Sequence, residues 1–324
     1  MSNYIKNINF KLYEFKNVIL EPFRDTILQI NGKKSNEFYH RFSYCSRGKF
    51  RGILSTETPI PENMVRFDFD NVYFVGLNTN FYHMMVECLP KLNGYFTNRD
   101  ETILLNKNFI DVFPGLYDIL NNYLKFKNIQ FVNYERPDKL SRVTNQRFFI
   151  KNLKQYSSTS LDVVKAFNET KNLSVHFWQK YMQENFKPVT PFRKIFINRT
   201  IKGKLQKRLR CGNQDEIYEQ LKKKDFELLD PNEIDLKTAM KMCFEAKEIV
   251  GVHGAGLTNI LFSQPGIKFT QLVYNWPDME NIYKRISDIL GLKYNVIYGL
   301  NSKGEYATMK EVFDITLEQI KGKK

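Results

Sequence analysis

Along the C-terminal half of the chain, short apolar runs rich in β-branched and aromatic residues alternate with stretches whose apolar positions recur every three or four residues. That alternation predicts a parallel sheet covered by helices, because each strand needs a crossover before the next parallel one. The strands fall at Lys194–Asn198, Phe226–Leu229, Glu248–Val252, Phe269–Tyr274 and Tyr294–Tyr298, with helices at about 214–223, 235–247, 257–263 and 279–290. Ala239, Met240, Cys243, Phe244 and Ala246 share one helical face. A Rossmann-like domain fits this half.

The N-terminal half is less regular. Its pattern gives a strand at Asn71–Val75, a helix over about 80–97, a strand at Thr102–Leu105, a helix near 109–122, and strands at Ile129–Val132 and near 147–150. A long helical stretch, 160–186, ends at Pro188-Val-Thr-Pro191, which reads as a linker because proline cannot continue a helix. No internal repeat or low-complexity tract interrupts the chain. The expected fold class is therefore α/β, with two Rossmann-like domains whose parallel sheets face each other across a cleft. One domain covers 1–188 and the other 189–304, and a helical tail, 305–324, is expected to pack back on the first.

Length agrees, since 324 residues suit two domains of roughly 150 each. Apolar residues at 42% and aromatics at 15% supply packed interiors and argue against disorder. Lys and Arg total 49 against 35 acidic residues, and the net charge of +14 attracts anions: nucleotides, nucleic acid or a phospholipid surface. The Lys-rich stretches Lys202–Arg210 and Lys222–Lys224 lie among many Asn, Ile and Tyr residues, so part of the charge belongs to the overall composition. Cys45, Cys88, Cys211 and Cys243 include no pair spaced as a metal knuckle or redox motif and read as reduced thiols in or near the core. The opening MSNYIKNINFKLYEF interrupts its apolar residues with Lys and Asn, unlike a signal peptide or a membrane span. Cytoplasm is the expected compartment, and the sequon-like triplets at Asn168, Asn172 and Asn198 then carry no glycan.

Three segments carry candidate chemistry. Ile249-Val-Gly-Val-His-Gly-Ala-Gly-Leu-Thr-Asn259 runs from a buried strand through a Gly-rich turn into a helix start. Gly254 and Gly256 allow close backbone approach, Thr258 or Asn259 can cap the first turn, and the N–H groups around Ala255 and Leu257 suit a diphosphate. His253, at the carboxyl end of that strand, points toward the usual ligand crevice. The same glycines also serve plain strand-to-helix packing. In Val75-Gly-Leu-Asn-Thr-Asn-Phe-Tyr-His-Met-Met-Val-Glu-Cys-Leu-Pro-Lys-Leu92, His83 and Glu87 stand four apart on one helical face, with Asn80 a turn ahead. A cap with a polar face is the plainer alternative. Third, Phe196-Ile-Asn-Arg-Thr200 leads into Lys202, Lys204, Lys207, Arg208 and Arg210, then Asn213 and Glu216. Arg199 at a strand end and a basic loop can neutralise a diphosphate without a metal, although most basic loops are merely solvated. Tyr274 and Trp276 either stack on a base or sugar or pack in the core.

Together these segments resemble glycosyltransferase family 61, whose members carry an Asn-x-x-His-x-x-x-Asp/Glu segment, an Arg-containing loop ending in Asn, and a Gly-x-His-Gly-Ala-Gly-Leu-Thr-Asn block. Here they are Asn80/His83/Glu87, Arg199 to Asn213, and Gly251 to Asn259. The resemblance covers roughly 71–92 and 194–266. It implies a GT-B-like pair of Rossmann-like domains, the first on the acceptor side and the second binding the donor. It also implies inverting transfer to a glycan or other hydroxyl from a nucleotide-sugar donor, UDP-linked N-acetylglucosamine or xylose. No cofactor or metal and no nucleic-acid partner are expected, while a peripheral place at a membrane surface suits the charge. On this reading Glu87 is the first choice of base and His83 the second, and Asn80 meets the acceptor or sugar. Donor contacts fall to His253, Gly254, Ala255, Gly256, Leu257, Thr258, Asn259, Arg199 and Asn213. The arginine spacing departs from the family pattern, so Arg208 and Arg210 stand as alternatives. A polysaccharide enzyme of bacterial or viral type fits a chain without a secretory signal.

Three rivals differ in kind. Asp68-Phe-Asp70 on a strand would put two carboxylates on one face for Mn²⁺ on a diphosphate. A basic nucleic-acid or polyanion module has only the charge in its favour. A nucleotide-sugar epimerase or hydrolase would use the same fold.

Overall fold

A computed structural model of the chain describes residues 10–21, 26–30, 33–34, 65–76, 80–97, 101–107, 114–125, 128–132, 146–158, 163–198, 211–275, 277–308 and 311–320. The chain divides into two compact units, Met1–His176 and Phe177–Lys324.

In the first unit β1 (Phe10–Glu21), β2 (Thr26–Ile30), β3 (Lys33–Lys34), β4 (Val65–Tyr73), β5 (Thr102–Asn106), β6 (Ile129–Val132) and β7 (Gln146–Ser158) form one sheet in the order β3-β2-β1-β7-β4-β5-β6. Strands β7, β4, β5 and β6 pair in parallel. The pairs β3–β2, β2–β1 and β1–β7 are antiparallel. The expected parallel sheet thus carries an antiparallel extension at one edge. Burial explains why this extension is hidden in the sequence. Along β7, Phe148 and Ile150 are buried and Lys151 is exposed, after which Leu153, Gln155 and Ser157 are buried. The buried set moves from even to odd positions, and β1 makes the complementary shift from odd to even around Asn17, whose φ is 52°, with Phe15 and Val18 buried on either side. Unbroken alternation is the cue that announces a half-buried strand, and here it breaks in both partners of one long pair. Phe15, Val18, Val72, Phe74, Leu104, Val132, Phe148, Ile150 and Leu153 make one core.

The helix expected over 80–97 is present as three kinds of turn: α1 (Phe81–His83), a π-helical turn (Met84–Cys88) and a 3₁₀ segment (Leu89–Thr97). Helix α2 spans Pro114–Leu124, and the long α3 spans Val163–Asn185. The division between the units falls inside α3, ahead of the proline pair.

The second unit follows the sequence pattern closely. Its order is β8 (Arg193–Ile197), α4 (Gln214–Lys222), β9 (Phe226–Leu229), α5 (Leu236–Phe244), β10 (Ala246–Val252), a 3₁₀ segment (Ala255–Phe262), β11 (Lys268–Val273), α6 (Pro277–Leu290), β12 (Lys293–Tyr298) and α7 (Leu317–Ile320). All five strands are parallel, in the order β12-β11-β10-β8-β9. Asp235 caps α5 by accepting from the Thr238 N–H at 2.9 Å and its hydroxyl at 2.6 Å, which holds the carboxyl below its ordinary range. Ala239, Met240, Cys243 and Phe244 turn inward as their spacing requires, and Ala246 opens β10. Cys88, Cys211 and Cys243 are buried free thiols; burial pushes Cys211 up to about 12 and Cys243 further, which keeps both protonated. Among the described residues no helix is long and apolar enough to cross a membrane.

The tail departs from expectation. Instead of a helix returning to the N-terminal domain, residues 311–316 run extended and are bound into the second unit, with only α7 helical. Phe313 and Ile315 are buried while Val312 and Asp314 are exposed, which is a strand's period rather than a helix's. Phe313 lies so close to Gly299 that a Cβ there would sit 2.2 Å from its ring. The amide of Asn213 grips Ile315 like a paired strand, donating to its carbonyl at 2.9 Å and accepting from its N–H at 3.1 Å. Asn213→Ala is expected to cost roughly 1–3 kcal/mol, because both backbone groups of buried Ile315 lose their partner. A urea midpoint equal to that of the parent chain would show that the tail is held by something else.

Candidate functional site

Strand order locates a crevice before any motif is consulted. From β8 the chain steps outward to β9 on one side, then returns to build β10, β11 and β12 on the other. At such a reversal the neighbouring crossovers leave toward opposite faces, and the carboxyl ends of the two inner strands are left uncovered, which is where open α/β sheets bind ligands. The residues leaving those ends are Asn198 after β8, and His253 and Gly254 after β10. Asn198 is buried and donates its N–H to the Leu229 carbonyl at 3.0 Å.

Packing fixes the turn after β10. A Cβ on Gly251 would meet Leu257 Cδ2 at 2.4 Å and Ile197 Cβ at 3.1 Å, and one on Gly256 would meet Pro231 Cγ at 3.2 Å. Gly251 and Gly256 are therefore the glycines that close packing demands, while Gly254 is extended. The helix expected at 257–263 is instead 3₁₀, begins at Ala255, and has no side-chain cap. The Leu257 N–H is committed to the Gly254 carbonyl at 3.0 Å. Asn259, almost fully buried, donates from Nδ2 to the Gly256 carbonyl at 2.8 Å. Thr258 Oγ1 lies 3.4 Å from the Tyr283 hydroxyl, which donates to the Gly254 carbonyl at 2.6 Å. The side chains of Leu257, Thr258 and Asn259 thus build the turn, and Gly254, Ala255 and Gly256 form its leading edge.

His253 is 5% exposed and extends the β10–β11 ladder, its N–H bonded to the Leu272 carbonyl at 2.8 Å. Its Nδ1 lies 2.8 Å from Nε2 of the fully buried Gln271, whose Oε1 accepts from the Tyr294 hydroxyl at 2.9 Å. The rings of Tyr274 and Tyr283 stand edge-on to the imidazole at 6.0 and 5.6 Å. Tyr274 is buried and also meets Phe313 at 6.4 Å, which decides its two readings in favour of packing. Sequence reasoning missed Gln271, Tyr283 and Tyr294. The available signal was an uncharged amide in a strand whose Phe269, Leu272 and Val273 are all buried.

Arg199, Arg208, Arg210, Lys202, Lys204, Lys207 and Trp276 lie outside the described residues. Asn213, expected at the donor, has both polar atoms of its amide engaged by Ile315, and Cys211 Sγ lies 3.5 Å from its Oδ1.

In the first unit, Asn80 caps α1: its carbonyl accepts from the Met84 N–H at 2.9 Å, and its side chain lies 3.5 Å from the His83 N–H. His83 Nδ1 and Glu87 Oε2 are 3.3 Å apart with side chains 17% and 11% exposed. Met84, Met85, Val86, Cys88 and Leu89 around them are buried. The π turn has an identifiable cause. Leu89 donates to the Met84 carbonyl, and Pro90 has no N–H for either the Met85 or the Val86 carbonyl. The Met85 carbonyl accepts from the Ser174 hydroxyl of α3 at 3.0 Å. Asp68 and Asp70 are exposed on one face of β4 as alternation requires, and Asp68 is gripped by Arg66 at 2.8–3.0 Å. Among the described residues no three His, Cys, Asp or Glu side chains gather as metal ligands would.

Removing the Ser174 hydroxyl takes away a buried hydrogen bond to the Met85 carbonyl, so Ser174→Ala is expected to destabilise the chain by roughly 0.5–1.5 kcal/mol. In hydrogen exchange the loss should show first at the amides of residues 84–89. Unaltered protection of those amides would mean that the turn does not depend on α3.

A family model described as Glycosyltransferase 61 matches residues 81–273, more than half of the chain. The match takes in His83, Glu87, the turn after β10 and Gln271, and begins one residue after Asn80. No curated protein matches the chain in sequence. Among solved structures, the bacterial iron-containing dodecameric glycosyltransferase TibC from enterotoxigenic E. coli H10407 aligns over 96% of this chain and 88% of its own, at 12% identity and a TM-score of 0.33.

Proposed function

The chain belongs to glycosyltransferase family 61, and from that premise we propose that this glycosyltransferase is inverting and metal-independent, moving a sugar from a UDP-linked donor, N-acetylglucosamine or xylose, to a glycan hydroxyl. The observation that carries the proposal is the placement of His253 beside an uncapped turn at the strand-order reversal, where a diphosphate is best received. The GT-B-like arrangement belongs to the same proposal, since Glu87 and His253 must act on one substrate pair. Cytoplasmic polysaccharide assembly is the setting it suits.

In the proposed reaction the Glu87 carboxylate takes the proton of the acceptor hydroxyl, and the oxygen attacks the anomeric carbon from the face opposite the diphosphate. The bond from that carbon to the phosphate oxygen breaks, and its electron pair leaves on the diphosphate. His253, the leading amides of the turn and Arg199 offset the charge that develops there, each such donor contributing about 2.7–4 kcal/mol. His83, 3.3 Å from Glu87, orients the carboxylate and is the second candidate for the base.

Glu87→Gln is expected to bind UDP as the parent does and to lose transfer by about 10²-fold or more, the usual contribution of a positioned base. Parental turnover in that variant would remove Glu87 from the mechanism. His253→Ala is expected to raise the UDP dissociation constant by about tenfold or more in calorimetry, the loss of one charge-assisted bond. Transfer is expected to continue in EDTA, and its complete arrest would return the metal to the mechanism.

A further inference from the structure

The hydroxyl of Tyr294, the amide of Gln271 and the imidazole of His253 form a chain of hydrogen bonds that starts on β12, crosses β11 and ends at the carboxyl end of β10. The orientation of the Gln271 amide sets the direction of this chain. Its Oε1 accepts from the Tyr294 hydroxyl and its Nε2 faces the ring, and an amide nitrogen can only donate. His253 Nδ1 must then accept, and a neutral imidazole whose Nδ1 accepts carries its proton on Nε2.

We propose that Tyr294 and Gln271 are positioning residues that select this tautomer, so that the imidazole offers an Nε2–H donor to the anionic oxygen arriving at the turn. The selection has a physical purpose under the proposed reaction, on which its use, though not its existence, rests. With the opposite tautomer Nε2 would be an acceptor, and a lone pair would face a diphosphate oxygen. Gln271 suits the task better than a carboxylate would. A buried carboxylate in its place would draw a proton onto Nδ1 and change the charge of the site, whereas the amide fixes the orientation and adds no charge. Full burial of Gln271 among Phe269, Leu272 and Val273 keeps water from competing for the amide, and the β10–β11 ladder holds strand to strand at the bond.

Nitrogen-15 NMR of the imidazoles tests this directly, since the chain has only four histidines, His40, His83, His176 and His253, and a His253→Gln spectrum assigns the one in question. The parent protein is expected to show His253 protonated at Nε2 and bare at Nδ1. In Gln271→Glu the pattern is expected to move to a proton on Nδ1, and in the milder Tyr294→Phe the two tautomers are expected to mix. A proton on Nδ1 in the parent overturns the proposal, as does an unaltered pattern in Gln271→Glu. If that variant fails to fold, the parent spectrum and Tyr294→Phe decide alone. Adding UDP to the parent reports separately on the donor site: a shifted Nε2 resonance supports the reading of the previous subsection. A silent one removes His253 from the donor while leaving the tautomer, and the relay that selects it, in place.

Discussion

Parallel strands joined by crossovers cover each other's ends only while the chain keeps winding one way. In the second unit it winds outward from β8 to β9 and then back across to β10, and that reversal uncovers the carboxyl ends of β8 and β10 together. Everything chemical in this unit follows from the uncovered end. The tight turn after β10 is possible because Gly251 lets Leu257 lie against the strand, and because Gly256 admits Pro231. The turn in turn sets Gly254, Ala255 and Gly256 at the edge and leaves His253 as the last side chain of the sheet. A change of strand order would move the crevice and leave the same eleven residues as ordinary packing.

The first unit reaches a comparable result by a different route, through a helix that cannot complete its own hydrogen bonds. Pro90 withholds one N–H, the ladder before it is a π turn, and the Ser174 hydroxyl of α3 donates to the Met85 carbonyl. The i,i+4 spacing places the carboxylate of Glu87 3.3 Å from His83 among buried apolar neighbours. One contact that ties this segment to α3 therefore comes from 89 positions away in sequence.

How much of this was legible depended on whether the relevant signal was local. The strands of the second unit, the apolar face of α5 and the glycine-rich turn are written in consecutive residues, and the sequence pattern finds them within a few positions. The place of His253 at the end of β10 and of Glu87 one turn from His83 was legible for the same reason. The antiparallel extension was not, because β1 and β7 change burial phase midway and neither shows a sustained alternation. Ser174, Gln271 and Tyr294 were invisible because each matters only through a partner on another element. The tail failed for a subtler reason: its polar residues resemble a helix's exposed face, and the two inward positions that reveal an extended segment, Phe313 and Ile315, gain meaning only once Gly299 and Asn213 are known to receive them.

The block from His253 to Asn259 also shows that residues of one motif need not share one task. Leu257 fills the space before Gly251, Thr258 leans on Tyr283, and Asn259 ties back to Gly256, so these three create the shape of the turn. Under the proposed function His253 and the backbone ahead of Leu257 are the parts that meet the anion. Such a division has a physical logic. A diphosphate is recognised through N–H groups held in fixed directions, and fixing backbone N–H groups takes buried side chains that never touch the ligand. Under the proposed function Asn259 acts through the shape of the turn and His253 as a donor to the anion. Stability does not separate them, because Asn259 and His253 are both buried and truncating either removes a hydrogen bond, to the Gly256 carbonyl in one case and to the buried Gln271 amide in the other.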